Sequence, residues 1–169
     1  VTGTWSINEV LTKAFVEGAE SVARSYHPDY FILEESSPTS ASNLDWFLEQ
    51  IMSDGEENGN RTELYARCNQ MVEELPPDKS NVIFIPYLYA SSTTPTAEAA
   101  FFNLKSTTKQ THMVRAVYEG IVFSALLHVS RIKEHGISFT KAKLCGGIAK
   151  SEVWSQMVCD ALQMPLEVT

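Results

Sequence analysis

The stretch from Thr111 to His135 sets the strongest limit on what this chain can fold into. Apolar residues fall at positions 113, 114, 117, 121, 125, 129 and 132, the spacing of one helical face. Its 25 residues make a helix of about 37 Å at 1.5 Å per residue, the width of a small domain. Every other element must pack around that rod. Gly120 stands in its middle, where glycine costs about 1 kcal/mol relative to alanine, so the sequence predicts a close neighbour against the helix backbone there. Gly136 follows where a helix C-terminus favours glycine.

Around the helix the pattern alternates between strands and helices. Residues 2–11 alternate loosely with Thr, Trp, Ile and Val, which reads as a strand. Residues 12–28 read as a surface connection, and Tyr30-Phe31-Ile32-Leu33 as a second strand stopped by Ser36-Ser37-Pro38. Ser42 followed by Asp45 predicts a capped helix through Trp46, Phe47 and Ile51, ending near Asp54-Gly55. After an acidic loop over 54–60, Leu64, Cys68, Met71, Val72 and Leu75 recur at helical spacing until Pro76-Pro77 stops them. Val82-Ile83-Phe84-Ile85 reads as a buried strand, and 86–100, with two prolines, as a long loop. Beyond the long helix come a strand at about 141–145, Gly146-Gly147, a helix over about 151–163 and a strand from Pro165, together a βαβ-type unit.

Length and charge narrow the class. A chain of 169 residues makes one domain, burying roughly two-thirds of its unfolded surface without a staple or metal. Thirteen Lys and Arg against 21 Asp and Glu leave a net charge of -8, which repels phosphate backbones and anionic lipid, so no nucleic acid is expected as partner. The uninterrupted apolar runs stop well short of the 18 residues a membrane span needs, so no membrane association is expected either. Cys68, Cys145 and Cys159 lack C-x-x-C spacing and read as reduced thiols of a cytoplasmic chain. Asn60-Arg61-Thr62 matches the glycosylation sequon, but without a signal peptide it is not read as one. The start at Val1 and the stop at Thr169 read as cuts from a longer protein.

Two places could carry chemistry. In KLCGGIAKSEVWSQ, residues 143–156, two glycines leave a strand and Ser151 stands at a helix N-terminus. Glycines admit close approach of a ligand to the backbone, and the free N–H groups of a helix start favour anionic groups. A tight strand-to-helix turn with Ser151 as an ordinary N-cap fits the same residues. Gly3-Thr4 places a hydroxyl beside a glycine, where it could bond a phosphate oxygen, and it equally suits a plain strand. His128 and His135, seven apart, do not match an i, i+4 metal pair, and 54–57 lacks the spacing of a calcium loop.

The segment LCGGIAKSEVWSQMVCDALQMPLEV, residues 144–168, resembles the C-terminal signature of the FGGY carbohydrate kinases: G-G-x-x-x-S, a helix with Trp and Gln, then a D-x-L-x-x-P-V close. Residues 82–88, Ala99-Ala100-Phe101-Phe102-Asn103-Leu104 and Arg115-Ala116-Val117-Tyr118-Glu119-Gly120-Ile121 resemble the family's preceding block in order, and Gly3-Thr4-Trp5 its second phosphate turn. GTWSINE and SSPTSASNLDWF are similar to the L-xylulose kinase branch. The resemblance implies an α/β fold, an actin-like and ribonuclease H-like domain with a mixed sheet flanked by helices, incomplete at both ends. Residues 1–169 are then the C-terminal nucleotide-binding domain, lacking the N-terminal sugar-binding domain that would be its partner.

The same resemblance implies phosphoryl transfer from ATP, with Mg²⁺ held mainly by the missing domain, to the hydroxyl of a ketopentose such as L-xylulose. Gly3 and Thr4 would then approach the terminal phosphates, while Gly146, Gly147 and Ser151 would line the adenosine and α-phosphate region. Ala99 stands where many relatives have a nucleotide-contacting glycine, and Asn103 where many have a second. The catalytic base of the family is an aspartate, expected upstream of Val1. A homodimer is a further partner to expect. The alternative is a non-catalytic, ATP-dependent scaffold of the actin and chaperone type, which shares the fold. An aspartate in a glycine-rich turn just before Val1 would separate the two.

Overall fold

A computed structural model describes residues 5–19, 22–38, 40–53, 60–91 and 93–169, with no side-chain description for 22–26. The 25-residue helix expected from periodicity is α3, Gln110–Glu134. It is long and apolar enough to cross a membrane, yet most of its apolar surface is spent inside the protein, with Phe123 and Leu127 left exposed. Val114, Val117 and Ile121 are buried in a core shared with Leu44, Phe47, Phe84 and Trp154, and Ile132 is buried near the helix C-terminus. The sequence argument from broken apolar runs therefore missed that α3 meets the length and composition test; burial against β and α elements accounts for its hydropathy. Gly136 closes it with φ +77°.

Strands β1 (Ser6–Thr12), β2 (Val22–His27) and β3 (Tyr30–Ser37) form an antiparallel sheet with β3 central. Residues 2–4 of the expected first strand lie outside the described residues, and β2 lies within what reads as a plain connection. Strand β3 runs on through Ser36-Ser37 because Leu33, Glu35 and Ser37 alternate inward. Glu35 Oε2 there meets Arg131 Nη1 of α3 at 3.5 Å.

Helix α1, Ser42–Phe47, starts one residue earlier than the Ser-x-x-acid pattern predicts: Ala41 takes the N-cap position and Ser42 is the first helical residue. The helix passes into a π-helical turn over Leu48–Met52, while most of the acidic loop lies outside the described residues. Helix α2, Arg61–Glu74, explains the sequon-like triplet, because Asn60 is its N-cap, accepting from Thr62 N at 3.2 Å. Strand β4 (Ile83–Ile85) pairs antiparallel with β5 (Ala100–Phe102), a strand hidden at the end of the expected loop. Strand β6 (Ala142–Leu144) pairs parallel with β7 (Leu166–Val168) across helix α4 (Glu152–Leu162), the expected βαβ unit. Parallel and antiparallel pairs both occur, distributed among three small sheets in the described residues.

Candidate nucleotide-binding turn

Buried Leu144 ends β6, and the chain surfaces at once: Gly146 and Gly147 are both exposed. Gly146 has φ +102°, which side-chain-bearing residues rarely adopt, whereas Gly147 is ordinary helical backbone at φ -60° and ψ -42°. The conformational demand for glycine is thus at Gly146, while Gly147 is exposed backbone with dihedrals open to any residue. One 3₁₀ turn, Ile148–Lys150, pins the loop through buried Ile148 and delivers Ser151 to the N-cap of α4.

The Ser151 hydroxyl works in both directions. It accepts from Trp154 N at 3.2 Å and donates to Asn69 Oδ1 on α2 at 2.8 Å. Asn69 Oδ1 also accepts from the Tyr118 hydroxyl of α3 at 2.9 Å, and the Tyr118 and Trp154 rings stack with centroids 4.1 Å apart. Three helices are therefore tied at one amide. Burial holds the Tyr118 hydroxyl well above the usual phenol range, so it stays a donor. Ser151 itself is only 7% exposed, so its geometry is that of a group fixing the turn from beneath.

Asn69 belongs to a polar row on α2 with Arg61 and Tyr65, spaced i, i+4, i+8. Tyr65 donates its hydroxyl proton to Asp45 of α1, and Arg61 Nη2 lies 3.3 Å from the same carboxylate and 2.8 Å from Glu49. Burial, then the bond to Asp45, pushes the Tyr65 hydroxyl up to about 12. The row links the first turn of α1 to the first turn of α4. Sequence reasoning missed Asn69, Tyr65 and Tyr118, although the i, i+4, i+8 spacing was readable once Leu64, Cys68 and Val72 marked the adjacent stripe.

The other expected site residues are not gathered at this turn. Gly3 and Thr4 lie outside the described residues. Ala99 is half-buried against the core just before β5, and no hydrogen bond among the described residues ties it to the turn. Asn103 has φ +61°, the left-handed conformation that glycine favours and asparagine best tolerates, and it donates to Asn81 O at 2.9 Å. The three cysteines form no disulfide; Cys68 is buried beside Met52, and burial pushes its thiol up to about 11.

Comparison with known proteins agrees with this architecture. The chain is 35% identical over 176 residues to a probable L-xylulose kinase of Pasteurella multocida, covering 99% of this chain and 33% of that protein. It is 31% identical over 171 residues to the L-xylulose/3-keto-L-gulonate kinase of Escherichia coli, covering 99% and 32%. The crystal structure of xylulose kinase from Rhodospirillum rubrum superposes with a TM-score of 0.86 at 19% identity, covering 98% of this chain and 33% of that one. Plasmodium falciparum glycerol kinase with ADP superposes with a TM-score of 0.79 at 21% identity, covering 97% and 33%. The chain thus has the fold of sugar kinases and spans about a third of its relatives' length. The description "FGGY family of carbohydrate kinases, C-terminal domain" matches residues 1–169, and the chain belongs to that family.

Proposed function

We propose that residues 1–169 are the C-terminal, nucleotide-binding part of a cytoplasmic ATP-dependent carbohydrate kinase that transfers the γ-phosphoryl group to a ketopentose such as L-xylulose. The observation that carries the reading is the 35% identity to a probable L-xylulose kinase across 99% of the chain. The geometry supports it: exposed Gly146-Gly147 and the first turn of α4 offer backbone N–H groups to an anionic ligand, on a base fixed by Ser151, Asn69 and Tyr118. Phosphoryl transfer depends mostly on positioning and charge stabilisation, and a rigid turn on a three-helix anchor supplies the former. Gly3 and Thr4 would approach the terminal phosphates, with Ala99 at the wall of the nucleotide cleft. Mg²⁺, which takes one or two protein carboxylates beside the phosphates of its substrate, would be held mainly with the N-terminal domain. The scaffold alternative is not favoured, because the family and the relatives above are kinases.

A coupled ADP-release assay on the full-length protein, run with L-xylulose, gluconate and glycerol, tests the reading. The highest kcat/KM is expected with L-xylulose. Turnover of none of the three would overturn it.

A further inference from the structure

The two ends of the Asn69 amide are used very differently. Its carbonyl oxygen accepts from the Ser151 hydroxyl at 2.8 Å and from the Tyr118 hydroxyl at 2.9 Å, which occupies both lone pairs of an amide oxygen. Its nitrogen donates to nothing among the described residues, and the residue is half-buried rather than sealed. That orientation is locked. Tyr118 is 1% exposed, and the Ser151 oxygen is already taken by Trp154 N, so turning the amide over would strand two buried hydroxyl protons, which are costly to leave unpaired. The planar amide therefore keeps Oδ1 inward and holds Nδ2 outward, beside the N-cap of α4.

We propose that Asn69 is a nucleotide-contacting residue whose Nδ2 donates a hydrogen bond to the nucleoside half of ATP, at a ring nitrogen or a ribose oxygen. The proposal rests on the reading of the turn from Gly146 to Ser151 as the nucleotide site of a kinase, and it adds to that turn a group from α2. A solvated asparagine on a helix is commonplace. Asn69 differs because two buried hydroxyls hold its amide in one orientation, and a donor fixed in advance gives up little freedom when ligand arrives. The phosphates have another seat, since anionic groups are drawn to the backbone N–H groups at the start of α4, while a neutral amide matches neutral acceptors. The amino group of adenine is excluded as a partner, because it needs an acceptor and the Asn69 oxygen is saturated. The acceptors of the purine ring and the ribose remain.

Asn69→Asp in the full-length protein tests this. A carboxylate still accepts from both hydroxyls, so the anchor survives and only the donor is lost; the variant should melt within about 3 °C of the wild type and bind sugar as before. Its KM for ATP is expected to rise about tenfold or more, with inhibition by adenosine weakened as much and inhibition by tripolyphosphate changed less than about threefold. Adenosine carries no charge for the new carboxylate to repel. An unchanged KM in the folded variant would overturn the proposal, because Asp serves a purely structural role as well as Asn does. A loss confined to tripolyphosphate would overturn it too, by moving the contact to the phosphates. Varying the ligand instead of the protein covers a variant that fails to fold. Among 1-deaza-, 3-deaza- and 7-deaza-ATP and the 2′- and 3′-deoxy forms, one is expected to raise the wild-type KM about tenfold, and values all within about twofold of that for ATP would overturn the contact. Wild-type turnover separates the two readings: normal turnover with an indifferent Asn69→Asp overturns only this contact, and calorimetric adenosine binding that depends on Asn69 without turnover of any sugar overturns only the function.

Discussion

A Cβ placed on Gly120 of α3 would stand 2.5 Å from the carbonyl oxygen of Phe84 in β4. Helix and strand approach to that distance because the residue between them has no side chain. Gly120→Ala forces the added methyl against the Phe84 backbone, and overpacking of this kind costs about 1 to 3 kcal/mol, against about 1 kcal/mol returned by helix propensity. Steric overlap should win. Urea melts are expected to show a less stable variant, and a more stable one would mean that β4 moves aside freely.

The Asn69 amide gives a second expectation. Asn69→Ala removes the acceptor shared by the buried Ser151 and Tyr118 hydroxyls, and each buried group left unpaired costs about 1 to 3 kcal/mol. The variant should lose about 2 kcal/mol or more. Combined with Ser151→Ala, the loss should fall short of the sum of the two single losses, because the pair is coupled. Strict additivity in chemical denaturation would show that the hydroxyl bonds elsewhere.

Legibility followed the range of the interactions. Helix α3, helix α2 and the βαβ unit were readable because their apolar periods and flanking glycines and prolines are local. The need for glycine at 120 was readable as well, but its partner Phe84, 36 positions earlier, was not. Strand β5 was hidden because Ala100–Phe102 has only three residues and gains its identity from pairing with β4. At the site, the glycines and the Ser151 cap were visible as a pattern. Which glycine needs its freedom was not, since φ +102° at Gly146 and φ -60° at Gly147 depend on how β6 enters the 3₁₀ turn. Asn69 was invisible for a different reason: a polar residue on a helix becomes an anchor only when two other helices bring hydroxyls to it.

His128 predicts a pH dependence. It is 3% exposed, and its Nδ1 stands 2.9 Å from Asn8 Nδ2, so the amide donates to a neutral ring. Burial first, and the nearby Arg131 charge second, lower its pKa from 6.5 to about 4. As pH falls below 6.5 the unfolded chain takes up the proton before the folded one, so stability drops through the window down to about 4 and then levels. The loss amounts to about 3 kcal/mol at the low end. His128→Gln, which keeps an acceptor for Asn8, should flatten that part of the curve in urea melts. An unchanged acid slope would assign the effect to other groups.

The 169-residue chain by itself should not phosphorylate sugars. Its glycine turn is exposed, and the chain spans about a third of the length of its kinase relatives. Positioning of two substrates is where phosphoryl transfer draws most of its rate, and half a cleft positions neither against the other. A coupled ADP-release assay with L-xylulose should read background. Clear turnover by the isolated chain would remove the need for the preceding residues in catalysis.

The two glycines of the turn should fail in different ways. Gly146→Ala places a side chain at φ +102°, a strained conformation whether or not ligand is present, so it should lower the stability of the full-length protein as well as its use of ATP. Gly147→Val meets no such backbone strain at φ -60°, although its β-branched side chain fills the space above an exposed turn. If nucleotide approaches there, the valine variant should keep near-normal stability and sugar affinity while its KM for ATP rises about tenfold or more, the equivalent of about 1.4 kcal/mol of lost binding. Ser151→Ala, which acts from beneath the turn, should cost about 1 kcal/mol of stability through the lost cap and change KM for ATP less than the valine does. Steady-state kinetics with calorimetry of sugar binding in the absence of nucleotide separates these cases. An unchanged KM for ATP in a well-folded Gly147→Val enzyme would move the nucleotide away from this turn.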